Sequence, residues 1–189
     1  RLEAQVQVDS ATLTGPTAYA ETEVSIAYQP RENFGLNETN FMFVVARIRY
    51  YNSQLFLKGF VWGSFNADGT DDFYALPMSG DYPPDDSQLN FNQPYMLAVE
   101  YDAPNSRLVV EFDDGSGPRR GYFDVNGVAF FDPANLQYAQ IRTRIRGLNQ
   151  AGDSGSMRVR YDDVAVNGQP YDNFDNGFAP NKWQISAYE

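Results

Sequence analysis

The fold is decided by residues 155–168, Gly-Ser-Met-Arg-Val-Arg-Tyr-Asp-Asp-Val-Ala-Val-Asn-Gly, whose apolar alternation changes phase in the middle. Apolar residues occupy odd positions as far as Tyr161 and even positions from Val164, with Asp162 and Asp163 between them. Because side chains of a strand change face at every residue, a one-residue slip would turn the core set toward solvent. The pattern therefore predicts a β-bulge at the Asp-Asp step, which absorbs one residue and re-aims the two carboxylates.

Other strand-like segments recur along the chain, and no long segment has a 3.6-residue apolar period. Turn-forming residues at 52–53 and 102–105 predict two hairpins, the dense apolar run 41–51 predicts a central strand, and 132–135 predicts a helical turn. About ten strands at this spacing predict an all-β fold, an antiparallel β-sandwich or jelly roll. The predicted strands are 2–9, 18–28, 41–51, 54–64, 95–101, 107–112, 121–125, 137–146 and 156–167, with a short one at 183–187.

Length and composition limit the organisation and the chemistry. A chain of 189 residues is typical of one domain, and we expect a single sandwich over 1–189. The sequence has no cysteine and no histidine. These absences exclude disulfides, Ser-His-Asp and Cys-His catalysis, and imidazole or thiolate metal sites.

The acidic charge balance indicates which partners to expect. A net charge of −11 with a pI near 4.3 argues against nucleic acid and against anionic membrane surfaces. No apolar run approaches the roughly 20 residues that span a bilayer, so no membrane insertion is expected. An acidic surface, 15% aromatic residues and many turn residues are typical of a secreted or cell-surface protein, so an extracellular location is expected.

Four segments carry a resemblance to a known superfamily. The opening strand 1–8, the strand 95–101, its hairpin partner 107–112 and above all Arg-Tyr-Asp-Asp-Val-Ala-Val-Asn-Gly at 160–168 are similar to concanavalin A-like lectin/glucanase (laminin-G-like) domains. The similarity covers nearly the whole chain. It implies a concanavalin A-like jelly roll and a lectin-like, carbohydrate-binding or adhesion function.

The resemblance also implies a structural calcium ion and an unusual end of the chain. In such domains an acid on the last core strand helps to hold calcium against the N-terminal segment, a role that falls here on Asp162 or Asp163. Elements that often open these domains come last here, as Tyr-Asp-Asn-Phe at 171–174 and Lys-Trp at 182–183. Residues 169–189 are therefore expected to form a closing segment or a joint to another module.

A second acidic segment also has the composition of a calcium loop. Residues 66–72, Asn-Ala-Asp-Gly-Thr-Asp-Asp, place oxygen ligands at near-alternate positions with a glycine for the tight turn, and Asp68 and Asp71 are the candidate ligands. The alternative is a turn-rich hairpin loop that needs no ion. For Asp162 and Asp163, the alternative is a bulge whose acids are capped by backbone N–H groups or paired with arginine.

Candidate ligand-binding aromatics lie on or next to the long loop 66–93. Trp62, Phe73, Tyr74 and Tyr82 stand beside acids and amides, a combination that forms sugar platforms in which the ring covers C–H groups. The alternative is that these rings belong to the core of the sandwich. A second long loop covers 29–40, and long loops on a rigid sandwich are frequent places for function.

Arginines form a basic stripe in this acidic chain. Arg142, Arg144 and Arg146 share one strand face, with Arg158 and Arg160 expected nearby. We expect the stripe to pair with acids on neighbouring strands. Alternatively Arg142 and Arg144 line a concave face that receives an anionic glycan or an acidic partner.

Catalysis is not expected, because the acid signatures of the catalytic relatives are missing. Retaining glucanases of this fold place acids at about i, i+2 and i+5 on one strand. The nearest candidates, 21–23 and 100–102, carry two acids each and lack the third. The leading hypothesis is a non-catalytic extracellular module that binds a glycan or surface polysaccharide and is stabilised by calcium. A structural or assembly domain that contacts neighbouring modules or subunits is the second, and a glycan-degrading enzyme is the third.

Overall fold

A computed structural model describes residues 1–28, 41–63, 72–76, 88–128 and 131–175. Apart from two short 3-10 turns at Ala103–Asn105 and Pro133–Asn135, its regular elements are strands. The strands are β1 Leu2–Thr14, β2 Tyr19–Tyr28, β3 Met42–Tyr51, β4 Gln54–Gly63, β5 Asp72–Ala75, β6 Gln88–Leu89, β7 Pro94–Asp102, β8 Arg107–Asp113, β9 Arg119–Asp124, β10 Leu136–Arg146, β11 Ser154–Val166 and β12 Gln169–Asp172.

The strands form two six-stranded sheets that pack face to face. Sheet A has the order β12-β11-β1-β7-β8-β9, and sheet B has the order β10-β2-β3-β4-β5, with β6 also pairing with β4. Every strand pair is antiparallel. The predicted all-β antiparallel sandwich is therefore confirmed, and β3 is an inner strand of sheet B, as its apolar run predicted.

Alternate residues of each sheet supply a shared hydrophobic core. On β1, for example, Leu2, Ala4, Val6 and Val8 are buried, whereas the residues between them are only partly covered. The hydroxyl of Tyr161 on β11 crosses this core and contacts hydroxyls of sheet B, because a buried hydroxyl needs a partner. Its two partners, Thr22 Oγ1 at 2.5 Å and Thr143 Oγ1 at 2.6 Å, link the two sheets.

The predicted bulge at the Asp-Asp step is confirmed by the pairing of β1 with β11. Glu3 lies opposite Ala165 and Gln5 lies opposite Asp162, so β11 carries one residue more than β1 between these pairs. Asp163 has a φ of 47° in the left-handed region, and its backbone N–H donates to Asp162 Oδ1 at 2.8 Å. The extra residue lets both Tyr161 and Val164 contact the core.

The predicted turns are confirmed, but three short strands were not predicted. Asn52 and Ser53, which join β3 to β4, both have positive φ, as the commonest two-residue hairpin turn requires. Asp132 accepts a hydrogen bond from the backbone of Ala134 at the start of the second 3-10 turn. Strands β5, β6 and β12 were not predicted; β12 begins the expected closing segment 169–189. The predicted strand at 183–187 lies outside the described residues.

Candidate functional site

Strand β2 is buried on both of its faces. One face joins the core, whereas the other points away from sheet A and carries Glu21 and Glu23, which are 0% and 1% exposed. Acidic side chains are almost never fully buried unless they are paired. We call the surface of sheet B that points away from the core the sheet B face, and the corresponding surface of sheet A the sheet A face.

Arginines on the two neighbouring strands surround these carboxylates. The strand register places Arg49 of β3 and Arg144 of β10 on either side of Glu21. The next row of the sheet B face repeats this arrangement around Glu23. The six residues, which we call the arginine–glutamate network, are Glu21, Glu23, Arg47, Arg49, Arg142 and Arg144.

The guanidinium of Arg47 joins the two carboxylates. Its Nε and Nη2 atoms donate to Glu23 Oε2 at 2.9 and 2.7 Å, and its Nη1 lies 2.9 Å from Glu21 Oε2. Arg49 adds a contact of 3.0 Å between its Nη2 atom and Glu21 Oε2. These contacts are charge-assisted, and the contact to Glu23 places two donors on one oxygen, which fixes the orientation of the fork.

The two arginines of β10 close the network from the other side. Arg142 donates to Glu23 Oε1 and Arg144 donates to Glu21 Oε1. Both side chains remain partly exposed, at 32% and 21%. The predicted pairing of the stripe with acids on neighbouring strands is therefore confirmed for these two arginines, and each presents its outer surface to solvent.

The electrostatics keep the buried acid ionised. Burial alone would raise the pKa of Glu23, but the charges of Arg47, Arg142 and Arg144 outweigh it, so the pKa lies below its ordinary value. Burial also lowers the pKa of Arg47 against the opposing pull of the two glutamates. Glu23 is thus held ionised at neutral pH, and both carboxylates lie beneath the guanidinium groups.

Aromatic side chains occupy the other end of the same face. The Trp62 ring stacks on Phe43 with centroids 5.2 Å apart and meets Phe41 edge-on at 4.9 Å. Phe73, which is 60% exposed, stacks on the buried ring of Phe60 at 5.0 Å. Since Trp62 and Phe73 are direct cross-strand neighbours, they form a continuous aromatic surface. We call these five rings the aromatic cluster.

The network and the aromatic cluster adjoin each other. The Arg47 guanidinium carbon lies 4.5 Å from the centroid of the Phe60 ring, a cation–π contact, and Phe60 in turn supports Phe73. The sheet B face therefore carries the partly exposed guanidinium groups of β10 and the rings of β4 and β5 on one surface, with β2 and β3 between them. Such an arrangement offers hydrogen bonds to hydroxyl or acidic groups and flat surfaces to C–H groups.

The structure brings together four of the predicted ligand-binding residues. Trp62, Phe73, Arg142 and Arg144 all lie on the sheet B face. Tyr74 does not, because it lies opposite the core residue Val61 and its ring is 5.1 Å from Phe123 of sheet A. Tyr82 lies outside the described residues. Arg158 and Arg160, which were expected near the stripe, belong to β11 in sheet A instead, where Arg160 donates to Asp9 at 2.8 Å.

The described residues give the predicted calcium sites no complete set of ligands. Asp162 caps the backbone of Asp163, the alternative foreseen for the bulge, and it borders a pocket of about 220 Å³. The described part of the chain has no group of three or more His, Cys, Asp or Glu side chains placed to hold a metal ion. Asp68 and Asp71 lie outside the described residues, so calcium binding stays a prediction.

The two acid pairs weighed as catalytic candidates, 21–23 and 100–102, are engaged by arginine. Glu21 and Glu23 share one face of β2 at i and i+2 but are buried beneath guanidinium groups, and Glu23 has a lowered pKa. A glycosidase acid needs the opposite, a raised pKa beside an open groove. The other predicted pair, Glu100 and Asp102, contacts Arg1 and Arg107 at 3.0 and 2.8 Å.

The centre of the face was missed by the sequence reasoning. Glu21 and Glu23 were considered only as catalytic acids, and Arg47 and Arg49 were not singled out. A usable signal was present, because Glu-x-Glu at 21–23, Arg-x-Arg at 47–49 and Arg-x-Arg at 142–144 share the two-residue period of a strand face. Opposite charges with the same period favour neighbouring strands.

Two comparisons with known proteins, one with family models and one with curated sequences, add no relative. No protein-family model matches the chain, and the search of curated proteins finds no match. Nor does the described part of the chain contain a helix that is long and apolar enough to cross a membrane. Functional inference therefore depends on the chemistry of the sheet B face.

Proposed function

We propose that the protein is an extracellular, concanavalin A-like carbohydrate-binding or adhesion module that holds a glycan on the sheet B face. The observation that carries the proposal is that one face holds both the aromatic surface of Trp62 and Phe73 and, beyond β2 and β3, the partly exposed guanidinium groups of Arg142 and Arg144. Sugars need both features, because their hydroxyl groups take hydrogen bonds while their C–H faces pack against rings.

The dimensions of the face suit an extended ligand. Five strands, from β10 to β5, lie side by side in sheet B. At about 4.8 Å per strand the face is roughly 19 Å wide. The network lies toward one edge and the aromatic cluster toward the other, so a chain of several sugar units crossing the strands would meet both.

A glycan array followed by titration calorimetry tests this proposal. Trp62→Ala and Phe73→Ala remove the platform, and each is expected to weaken binding about tenfold, since truncating a contact aromatic costs more than 1 kcal/mol. Tyr122→Ala is the matched control, because Tyr122 is an exposed ring of 44% on the sheet A face. Equal losses in all three variants, or no binding to any glycan, would contradict the proposal.

An assembly domain is the second candidate, and one observation favours it. Strand β5 is short and lies at the edge of sheet B, where it carries two neighbouring exposed rings, Phe73 at 60% and Tyr74 at 44%. Exposed apolar groups on an edge strand also suit contact with another protein chain. Light scattering over a concentration series separates the two, because assembly predicts a mass that rises with concentration and falls in a Phe73→Ser/Tyr74→Ser variant.

We also propose that calcium stabilises the fold, on the basis of the acids at 66–72 and 162–163. Calcium prefers oxygen ligands, and an ion that binds only the folded chain raises its Tm. Thermal unfolding in millimolar CaCl2 is therefore expected to give a higher Tm than unfolding in a chelator. Identical Tm values under the two conditions would reject calcium without touching the glycan proposal.

A further inference from the structure

We infer that the ligand of the sheet B face is an acidic polysaccharide whose sugars carry carboxylate groups. This inference rests on the proposed function and specifies its ligand class. The reason is a local reversal of charge: the chain has a net charge of −11, yet cations outnumber acids among the described residues of this face. The cations are Arg47, Arg49, Lys58, Arg142, Arg144 and Arg146, and the acids are Glu21 and Glu23.

The depth of the charges determines what a ligand meets. Glu21 and Glu23 are 0% and 1% exposed, whereas Arg142 and Arg144 are 32% and 21% exposed. The acids therefore form the floor of the network, and the guanidinium groups form its surface. An incoming carboxylate contacts cations first and is separated from the buried acids by the groups that neutralise them.

The floor also fixes the geometry of the cations. Each buried glutamate binds arginines from both neighbouring strands, so the planar forks are held in position before a ligand arrives. A pre-oriented fork loses little entropy on binding and matches the two oxygens of a carboxylate. Because the pKa of Glu23 is lowered, Glu23 stays ionised at neutral pH and continues to hold Arg142.

One donor of the network is left without an acceptor. The Nε atom of Arg142 is buried and has no hydrogen-bond partner in the described part of the chain. A buried donor without a partner costs free energy, and an acceptor oxygen of a bound ligand is one way to satisfy it.

The position of the aromatic cluster favours a glycan over other polyanions. On β4, Lys58 and Trp62 lie four residues apart on the same face, about 13 Å along the strand, and Phe60, which contacts Arg47, lies between them. A polysaccharide with one carboxylate per sugar has both the C–H faces that pack against rings and the anionic groups that pair with cations. A nucleic acid, with one charge per about 1.7 Å of duplex, is more densely charged and would meet stronger repulsion from the acidic remainder of the protein than a polysaccharide with one carboxylate per sugar.

Affinity electrophoresis and calorimetry with defined polymers test the inference. The probes are polygalacturonate and alginate as carboxylate polymers, mixed-linkage glucan and xylan as neutral polymers, and single-stranded DNA as a dense polyanion. We expect at least tenfold tighter binding to a carboxylate polymer than to any neutral polymer, with affinity that falls as NaCl is added. DNA is expected to bind at least tenfold more weakly than the carboxylate polymers.

Three substitutions distinguish binding at the sheet B face from general electrostatic attraction to the protein. Arg142→Gln is expected to weaken polygalacturonate binding about tenfold. Arg146→Gln removes an exposed charge of the same face outside the network and is expected to weaken binding severalfold, a result that holds even if Arg142→Gln fails to fold. Arg160→Gln removes the same charge from the sheet A face and should leave binding unchanged.

The outcomes distinguish this inference from the proposed function. Equal or tighter binding to a neutral polymer overturns the acidic ligand and leaves the glycan proposal intact. Binding to no polysaccharide overturns both. Losses in Arg160→Gln as large as those in Arg146→Gln, or DNA that binds as tightly as polygalacturonate, overturn the inference in favour of unspecific attraction.

Discussion

The sheet A face and the sheet B face both carry arginine–glutamate ion pairs, but the ratio of arginine to glutamate is reversed between them. On the sheet A face, the guanidinium of Arg1 lies at 2.7, 3.0 and 2.6 Å from Glu3, Glu100 and Glu111, and Arg120 also contacts Glu111. On the sheet B face, four arginines surround two glutamates. One face thus gathers carboxylates around a cation, whereas the other gathers cations around carboxylates.

The two faces also differ in which charge is exposed. Glu3 and Glu100 remain 20% and 26% exposed, so solvent reaches carboxylates on the sheet A face. On the sheet B face the carboxylates are covered and the guanidinium groups are outermost. The sheet A face thus exposes both signs of charge, since Arg120 and Arg160 are 46% and 64% exposed there, whereas the sheet B face exposes cations above covered acids. This difference teaches that net charge describes the protein as a whole and says little about one of its faces.

Strand register distinguishes the two sheets as well. The pairings of β2 with β3 and of β3 with β4 run without a shift, and that of β10 with β2 shifts only between Leu136 and Tyr138, outside the rows of the arginine–glutamate network. The pairing of β1 with β11 is interrupted twice, once at the Asp163 bulge and once near Asp9. A regular register aligns side chains of neighbouring strands in rows and so suits a binding surface. A bulge instead adjusts which side chains of a strand face the core.

Acid is expected to break both networks at once and so to have the largest effect. The pKa of Glu23 is lowered by Arg47, Arg142 and Arg144 against burial, and that of Glu111 is lowered by Arg1 and Arg120 against burial. Each therefore stabilises the fold fully above the ordinary pKa of 4.5, and this contribution is lost as the pH falls through the lower folded value.

Urea unfolding between pH 7 and pH 2 measures this loss. The wild-type protein is expected to lose stability steadily below pH 4.5. Glu23→Gln should be less stable than wild type at pH 7, and the two proteins should converge at the acid end, where the wild-type carboxylate is protonated. A difference that stays constant across the whole pH range would mean that Glu23 stabilises through packing and not through its charge.

Arg47→Met is expected to have the largest effect of any single substitution at neutral pH. It removes the guanidinium that joins Glu21 to Glu23 and leaves two buried carboxylates with fewer partners. Breaking a buried ion pair in this way costs about 3–5 kcal/mol, which corresponds to a fall in Tm of roughly 10 °C for a domain of this size. Calorimetry measures the fall.

The control for Arg47→Met is the same substitution in a more exposed pair. Arg107 is 35% exposed and contacts Asp102 at 2.8 Å on the sheet A face. Its guanidinium also lies 4.0 Å from the centroid of the Tyr122 ring. Solvent screens such a pair, so Arg107→Met is expected to lower Tm much less than Arg47→Met. Equal falls in Tm would mean that the covered network of the sheet B face stabilises the fold no more than the exposed pair of the sheet A face.

The fold could be predicted from the sequence because most of its strands have a recognisable local pattern of apolar residues. The alternation on β1, the apolar run of β3 and the phase slip before Val164 each follow from a side-chain period that needs no knowledge of neighbours. Strands β5 and β6 could not be found in this way, because they are four and two residues long and lie among turn-forming residues. They exist as strands because β4 offers them a pairing edge.

Only part of the candidate site could be predicted, because the residues that form it are far apart in the sequence. The period-2 spacing of Arg142 and Arg144 predicted that acids would face them, but not which acids. Glu21 and Glu23 lie more than a hundred residues earlier and become partners only because β10 is added beside β2. Sheet order is set by packing of the whole sandwich, and no local pattern encodes it.

Asp163→Val tests the irregular register of sheet A. Asp163 has a φ of 47°, a conformation that aspartate and glycine adopt far more readily than a β-branched residue. The valine variant is expected to lose about 1–3 kcal/mol, measured by urea unfolding. Asp163→Gly is the matched control and should be at least as stable as wild type. If both variants lose the same amount, the Asp163 carboxylate matters and its backbone conformation does not.

Arg160→Gln is expected to have the smallest effect on stability. Arg160 is 64% exposed, although it donates three hydrogen bonds to Asp9 across β1 and β11. Solvent and salt screen this pair, so the Tm should stay within error of wild type. The substitution is still visible to carboxyl NMR titration, because Arg160 lowers the pKa of Asp9, which should return toward its ordinary value of 3.8. A pKa of Asp9 that rises while Tm stays constant would establish that this ion pair is formed but contributes little to stability. A large fall in Tm would instead mean that this exposed pair stabilises the fold as much as the covered network of sheet B does.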